Sequence, residues 1–166
     1  GPVLADNPEL TCRIPEGRSP LRVVMDTHLR IPPASTLVTT AGKVPTLVYA
    51  SHSADSSRLN TLEESGVEVA QIATDRDGVL DMRAVLEDLV ERGVAKLLVE
   101  GGRRVITSVV RQSLCDRVIA VMAPMIIGEG TSSVGDLGVE SLAQAVRGHT
   151  VRVEQMGQDI VWEVEF

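Results

Sequence analysis

The chain has 166 residues, a formal net charge of −7 and a sequence pI near 5.0. This length favours a single domain over residues 1–166, and the acidic charge argues against nucleic acid or an anionic membrane as a partner. Aromatic residues make up only 2% of the chain, so a base-stacking surface is not expected, and two distant cysteines favour a reduced, cytoplasmic setting.

The first half of the chain alternates short apolar runs with helical periodicity. Strands are predicted at residues 22–25, 46–49 and 67–72, and a helix is predicted at 57–65. Between the first two strands, Pro32 and Pro33 exclude regular structure. A turn at 75–78 precedes a helix over 80–90, where apolar residues recur at helical spacing with charged residues on the other side.

The second half continues the same alternation. A buried strand is predicted at 96–99, a core-facing helix at 105–110 and a strand at 118–122. Residues 151–156 and 159–166 alternate apolar and polar side chains around Gly157 and Gln158, which indicates an antiparallel hairpin with one wet face. The fold class is therefore α/β: a mostly parallel sheet flanked by helices, with a C-terminal antiparallel hairpin.

The most informative segment is residues 96–102, where an apolar run ends in Glu100 and is followed by Gly101 and Gly102. A strand would deliver the carboxylate to its carboxyl end, and the glycines would let the backbone turn into a helix. The free N–H groups of a helix N-terminus attract phosphate, so a nucleotide cofactor would bind here. A turn that merely needs small residues is the alternative interpretation.

Polar residues follow three of the predicted strands: Asp26 and Thr27, the segment 51–53, and residues 100–102. Such ends converge on one crevice in an open α/β sheet. No serine lies in a nucleophile elbow, and the three histidines (His28, His52 and His149) have no spacing typical of metal ligands. If the protein is an enzyme, a cofactor is expected to carry the difficult step.

Four segments, in order, resemble a known family. They are Val-Leu-Ala-Asp-Asn-Pro-x-Leu-Thr-x-Arg at 3–13, Arg-Val-Val-Met-Asp-Thr at 22–27, Leu-Leu-Val-Glu-Gly-Gly at 97–102, and Arg-Val-Ile-Ala-Val-Met-Ala-Pro-x-x-Ile-Gly at 117–128. Together they resemble the reductase domain of riboflavin biosynthesis, the C-terminal half of the bifunctional pyrimidine deaminase/reductase. The resemblance implies a dihydrofolate-reductase-like fold and a homodimer.

The same resemblance implies NADPH-dependent reduction of 5-amino-6-(5-phosphoribosylamino)uracil to its ribitylamino form, with hydride delivered to C1′ of the sugar. By position, the substrate would be contacted by Leu10, Arg13 and Glu100, and Glu100 is the candidate catalytic residue. The hydroxyls of Thr107 and Ser108 are expected to be spare donors for the cofactor phosphates. The implied cofactor contacts are Asp6, Thr27, Gly101, Gly102, Arg103, Arg104, Val105, Ile106, Thr107 and Ser108.

The chain also departs from the family pattern. The family normally has a strand, a helix and a strand before the first segment, so we expect an N-terminally truncated domain. Pro2 stands where a cofactor-contacting threonine is usual, and Met125 stands where a lysine is common. Two alternatives remain: a non-catalytic fragment that keeps the nucleotide-binding fold for assembly or regulation, and a related reductase of the same superfamily with another substrate. The segment at 3–13 favours the riboflavin branch.

Overall fold

The structure is a computed structural model that describes residues 2–14 and 16–166. The chain divides into two compact units, of which the first ends at Leu98 and the second spans Val99–Phe166. The first contains α1 (Pro2–Asp6), β1 (Arg22–Met25), α2 (Thr36–Thr39), β2 (Thr46–Ser51), α3 (Ser56–Glu64), β3 (Glu68–Ile72) and α4 (Met82–Glu91). The second contains α5 (Arg103–Arg111), β4 (Arg117–Met122), a 3-10 helix (Leu142–Gln144), β5 (His149–Met156) and β6 (Asp159–Glu165).

The first unit is built on a parallel three-stranded sheet with the strand order β1-β2-β3. Val23 of β1 pairs with Leu47, and Val48 pairs with Val69 of β3. All six residues of the central strand β2 are buried. A near-continuous apolar run is typical of a parallel strand that is covered on both faces, and β2 fits this description.

Successive side chains of β2 enter two different apolar clusters. Val48 and Ala50 pack with residues of α2 and α3, whereas Leu47 and Tyr49 pack with residues of α4. This alternation follows from the period of two along a strand. Helices therefore cover both faces of the first sheet, as the α/β prediction requires.

A polar network joins α4 to the second and third strands. The Tyr49 hydroxyl donates to Asp88 Oδ2 at 2.5 Å, and Arg92 Nε donates to the same oxygen at 2.5 Å. Arg92 also pairs with Glu68 of β3. Burial, followed by the bond to Asp88, raises the pKa of Tyr49, while the bond from Arg92 lowers the pKa of Asp88.

The second unit contains an antiparallel three-stranded sheet in the order β4-β6-β5. Strands β5 and β6 meet at a turn in which Gly157 has a φ of +65°, a left-handed conformation that suits glycine. On one face, Arg117 of β4 forms ion pairs with Glu163 and Glu165 of β6. The predicted hairpin is confirmed, and β4 joins it as a third strand. The prediction of a single wet face is wrong for β5, because its residues are exposed on both faces of the sheet.

The predicted buried strand at 96–99 is wrong. Residues 94–102 have no regular secondary structure, and the side chains of Leu97 and Leu98 are 40% and 72% exposed. A strand requires a hydrogen-bonded neighbour, and within the described residues this segment pairs with neither sheet. The prediction rested on the apolar composition of the segment, which does not show whether another strand lies beside it.

The remaining strands and longer helices lie where the sequence predicts them, within a few residues. Three short elements were not predicted: α1, α2 and the 3-10 helix. They have five, four and three residues, too few to show a helical period. The side chain of Pro2 lies outside the described residues. Over residues 2–14 and 16–166, no helix has the length and apolar character needed to cross a membrane.

Candidate active site

The segment that follows α1 presents the first group of expected ligand contacts. Asp6 is the last residue of α1 and is exposed. Asn7 and Leu10 both have positive φ, +42° and +49°, in the left-handed region that non-glycine residues adopt uncommonly. Leu10 is half-buried against the apolar cluster under α2 and α3, and Arg13 is exposed.

Two long-range hydrogen bonds hold this segment to the rest of the first unit. Asn7 Oδ1 accepts from the backbone N–H of Thr36 at 2.9 Å, and the carbonyl oxygen of Glu9 accepts from Arg22 Nη1 at 3.1 Å. Thr36 is the first residue of the short helix α2, and Arg22 is the first residue of β1, the strand before it. The backbone between the two expected contacts Asp6 and Leu10 is thus fixed from two sides.

Arg22 is a functional anchor that the sequence analysis missed. Its side chain is 2% exposed, and burial lowers its pKa. A buried guanidinium has to place its N–H donors on acceptors, and here neutral oxygens fill that need. Besides Glu9, the acceptors are Leu37 O, Thr40 Oγ1, Val44 O and Thr46 Oγ1. The sequence did offer one indication of this role, because Arg22 is a cationic residue at the start of an otherwise apolar strand.

The ends of β1 and β2 lie side by side, as the sequence predicts. The backbone N–H of Ser51 donates to the carbonyl oxygen of Thr27 at 3.0 Å. The Asp26 carboxylate accepts from the backbone N–H of Ile31 at 2.6 Å and is nearly buried, so it holds the loop after β1. Ser51 and Ser53 share a hydrogen bond of 2.9 Å. Of these side chains, only Thr27 was an expected cofactor contact.

An open depression of about 380 Å³ lies between the loop after β1 and helix α3. Apolar residues and two arginines, Arg30 and Arg58, line it. Arg58 is held there by donating to the carbonyl oxygen of Leu29 at 3.2 Å. Asp6, Leu10, Arg13 and Thr27 do not line it. Its lining residues are Leu29, Arg30, Ile31, Pro32, Pro33, Ser57, Arg58, Thr61 and Leu62.

The second unit carries the glycine turn. Gly101 and Gly102 have φ values of +80° and +88°, which side chains with a Cβ rarely adopt, and α5 begins at the next residue. Gly102 provides no side-chain cap, so the first N–H groups of α5 are left for other acceptors. Glu100, Arg103 and Arg104 are exposed. The predicted tight turn into a helix is confirmed, although no strand precedes it.

The hydroxyl of Thr107 is not a spare donor, and that expectation is wrong. Thr107 Oγ1 donates to the carbonyl oxygen of Arg103 at 2.5 Å and accepts from the backbone N–H of Gly135 at 2.7 Å. Thr107 therefore holds the loop before the 3-10 helix against α5. Ser108 Oγ accepts from Gln112 Nε2 at 2.9 Å, which leaves its own hydroxyl hydrogen available.

The sequence profile of the RibD C-terminal domain matches residues 1–162. The chain belongs to this family. RibD of Aquifex aeolicus is 32% identical over 160 residues, covering 96% of this chain and 42% of that protein. The 2,5-diamino-6-ribosylamino-4(3H)-pyrimidinone 5′-phosphate reductase of Methanothermobacter thermautotrophicus is 32% identical over 166 residues, covering 97% of this chain and 74% of that protein.

A solved structure supports the same assignment. The diaminohydroxyphosphoribosylaminopyrimidine deaminase/5-amino-6-(5-phosphoribosylamino)uracil reductase of Thermotoga maritima matches with a TM-score of 0.78 and 26% identity, over 99% of this chain and 43% of that one. These findings confirm the family resemblance and the dihydrofolate-reductase-like fold. The chain spans less than half the length of the RibD relatives that it matches. The residue roles implied for the RibD C-terminal domain stay predictions.

Proposed function

We propose that this chain is the reductase part of an enzyme that uses NADPH to reduce 5-amino-6-(5-phosphoribosylamino)uracil to its ribitylamino form. The observation that carries the proposal is the RibD C-terminal domain profile, which spans residues 1–162. The Methanothermobacter relative, of which the chain covers 74%, is named as a reductase of a phosphorylated ribosylaminopyrimidine. We choose the uracil as the substrate because the Thermotoga protein is named as a reductase of 5-amino-6-(5-phosphoribosylamino)uracil.

We further propose that residues 1–166 form one reductase domain that acts in the cytoplasm as a homodimer. One family profile spans both compact units, which supports a single functional domain. The homodimer and the cytoplasmic setting rest on the resemblance and on the composition of the chain.

The glycine turn fits the phosphates of a dinucleotide. A positive φ at both Gly101 and Gly102 and the lack of a side-chain cap leave backbone N–H groups at the start of α5 open to an anion. Arg103 and Arg104 add positive charge in the first turn, and the Ser108 hydroxyl can donate. The other proposed cofactor contacts are Asp6, Thr27, Val105, Ile106 and Thr107.

Arg13 and Leu10 are the proposed substrate contacts of the first unit. The guanidinium of Arg13 is exposed, and its planar fork matches two oxygens of a phosphate monoester. Leu10 has its apolar side chain half-buried against the core, so its backbone position is fixed. In this assignment Arg13 binds the sugar phosphate and Leu10 packs against the substrate.

Glu100 is the proposed catalytic residue. A bound reduced nicotinamide would supply a hydride for C1′ of the sugar, and the reaction would also need a proton at the ring oxygen that is released. Holding the substrate in the reactive orientation accounts for a large share of such a rate enhancement. The exposed Glu100 carboxylate, placed next to the glycine turn, would orient the substrate and stabilise positive charge that develops at C1′.

The first experiment is a titration of the protein with NADPH, followed by energy transfer from Trp162, the single tryptophan, and by calorimetry. Saturable binding, with NADH binding more weakly, is the expected result. NADPH oxidation is then measured with the uracil substrate and, in parallel, with the 2,5-diaminopyrimidinone substrate. A folded protein that does not bind NADPH would favour the non-catalytic alternative, and turnover of the diaminopyrimidinone alone would overturn the uracil assignment.

A further inference from the structure

In the segment that carries Asp6, Leu10 and Arg13, the side chain of Asn7 bonds directly to α2. Asn7 has a φ of +42°, a left-handed conformation that asparagine tolerates better than most residues. Its backbone N–H donates to the carbonyl oxygen of Val3 at 3.2 Å, which closes α1. The side chain is then free to reach outside its own segment.

That side chain caps a helix elsewhere in the chain. Thr36 is the first residue of α2, and its backbone N–H has no acceptor within the helix. The N-cap residue Ser35 makes no side-chain cap, and its hydroxyl is buried without a partner among the described residues. Asn7 Oδ1 accepts from the Thr36 N–H at 2.9 Å in place of the missing cap.

The second attachment of the segment lies two residues further on. Glu9 accepts through its carbonyl oxygen from Arg22, whose guanidinium also bonds to the carbonyl oxygen of Leu37 in α2. Asn7 and Arg22 thus tie the segment to the same short helix. Asp6 lies immediately before the Asn7 attachment, and Leu10 lies immediately after the Glu9 attachment.

We propose that Asn7 is a positioning residue of the reductase site: its amide oxygen, bound to the Thr36 N–H, sets the backbone that presents Asp6 to the cofactor and Leu10 to the substrate. The inference rests on the proposed function. Asn7 touches neither ligand in this assignment. It acts through the placement of its neighbours, so its loss is expected to weaken ligand binding without removing a reacting group.

The bond can be removed from either end. Asn7→Gly keeps a residue that tolerates positive φ and deletes only the acceptor. Thr36→Pro deletes the donor, and proline is favoured at the first position of a helix, so α2 is preserved. Ser35 already has the extended conformation that a following proline requires, with φ −67° and ψ 151°. Asn60→Ala, at an exposed position of α3, is the control.

Each single variant is expected to raise KM for NADPH and for the pyrimidine by about fivefold, the effect of one ordinary hydrogen bond, with kcat within twofold. The double variant is expected to equal either single variant, because both delete the same bond. Rates are measured at 15 °C after circular dichroism has shown the variants folded. A purely structural role would lower the active fraction, and hence kcat, and leave KM unchanged.

Unchanged KM in Asn7→Gly or in Thr36→Pro, or single effects that multiply in the double variant, would overturn the inference. The calorimetric Kd for NADPH gives the same comparison without turnover. If the wild-type protein binds NADPH and the variants bind it with the same Kd, only the role of Asn7 is overturned. A wild-type protein that neither binds nor oxidises NADPH overturns the proposed function and this inference with it.

Discussion

Arg13 and Arg22 carry the same guanidinium, but burial gives them different tasks. Arg22 is 2% exposed, and neutral oxygens accept its hydrogen bonds, so it anchors the N-terminal segment and has no donor to spare for a ligand. Arg13 is exposed on the segment that Arg22 anchors. The family resemblance of the segment at 3–13 identified Arg13, and only the tertiary structure identified Arg22.

Arg13→Ala is expected to raise KM for the phosphorylated substrate by about 10- to 100-fold, because hydrogen bonds to a charged group contribute about 1.5–3 kcal/mol. The Kd for NADPH is expected to stay within twofold of wild type. The dephosphorylated substrate should bind equally to both proteins. Arg18→Ala, at another exposed position, is the control. Equal losses for the substrate and NADPH would contradict the phosphate role.

Glu100→Gln is expected to lower kcat by about tenfold or more while leaving the melting temperature and the NADPH Kd unchanged. The substitution keeps the size of the side chain and removes its charge, and Glu100 is exposed, so folding does not depend on it. Stopped-flow oxidation of NADPH measures the effect. The exposed Glu129→Gln serves as the control. Wild-type turnover in Glu100→Gln would leave Glu100 with no catalytic role.

At the scale of elements, α5 contacts a distant loop, and no pattern in the sequence predicts that contact. Gly135 donates its N–H to Thr107 of α5, and a Cβ at Gly135 would lie 3.0 Å from Thr107 Oγ1 and 3.2 Å from Arg103 Nε. The glycine therefore permits close approach of the loop to the helix that carries the proposed phosphate site.

Gly135→Ala is expected to push the loop from α5 by a few tenths of an ångström, weakening NADPH binding severalfold and stability by about 1 kcal/mol. Calorimetry and urea unfolding measure the two effects. Gly130→Ala is the matched control, since a Cβ there meets nothing within 4 Å. Equal behaviour of the two variants would show that the contact between Gly135 and Thr107 is unimportant.

The link between α4 and β2 predicts a pH-dependent contribution to stability. The hydrogen bond from Arg92, and then that from Tyr49, lowers the pKa of Asp88 below its usual value of 3.8. A lowered folded-state pKa stabilises the fold above the unfolded pKa, and this stabilisation is lost as the pH falls through the folded value.

Asp88→Asn is therefore expected to destabilise the protein by about 1 kcal/mol at pH 7, with the difference from wild type narrowing below pH 4. Urea unfolding at pH 7, 5 and 3 measures this difference. The exposed Glu87→Gln on the same helix is the control. A difference that is constant with pH would contradict the ionic role of Asp88.

For the whole molecule, we expect the protein to sediment as a homodimer. Large apolar side chains remain exposed on β4 and the loop after it, such as Val121 at 63% and Ile127 at 82%. Exposed apolar surface of this kind is typical of interaction sites. Sedimentation velocity over a range of concentrations measures the mass, and a monomer at micromolar concentration would contradict the expectation.

Local patterns determined most of the secondary structure and the family. β1 and β4 lie within a residue of their predicted bounds, because runs of β-branched and apolar residues favour strands. The glycine turn was predictable because only glycine adopts such φ values at low cost. The four family segments, and with them the proposed roles of Arg13 and Glu100, were likewise in the sequence.

Tertiary structure decided everything that depends on a distant partner. The apolar run at 96–99 reads as a strand, but a strand forms only beside another strand, and none pairs with it among the described residues. Only the tertiary structure shows that Thr107 Oγ1 accepts from the N–H of Gly135 and that Asn7 Oδ1 accepts from the N–H of Thr36. A sequence specifies local conformations and donors, whereas packing alone decides which acceptors those donors meet.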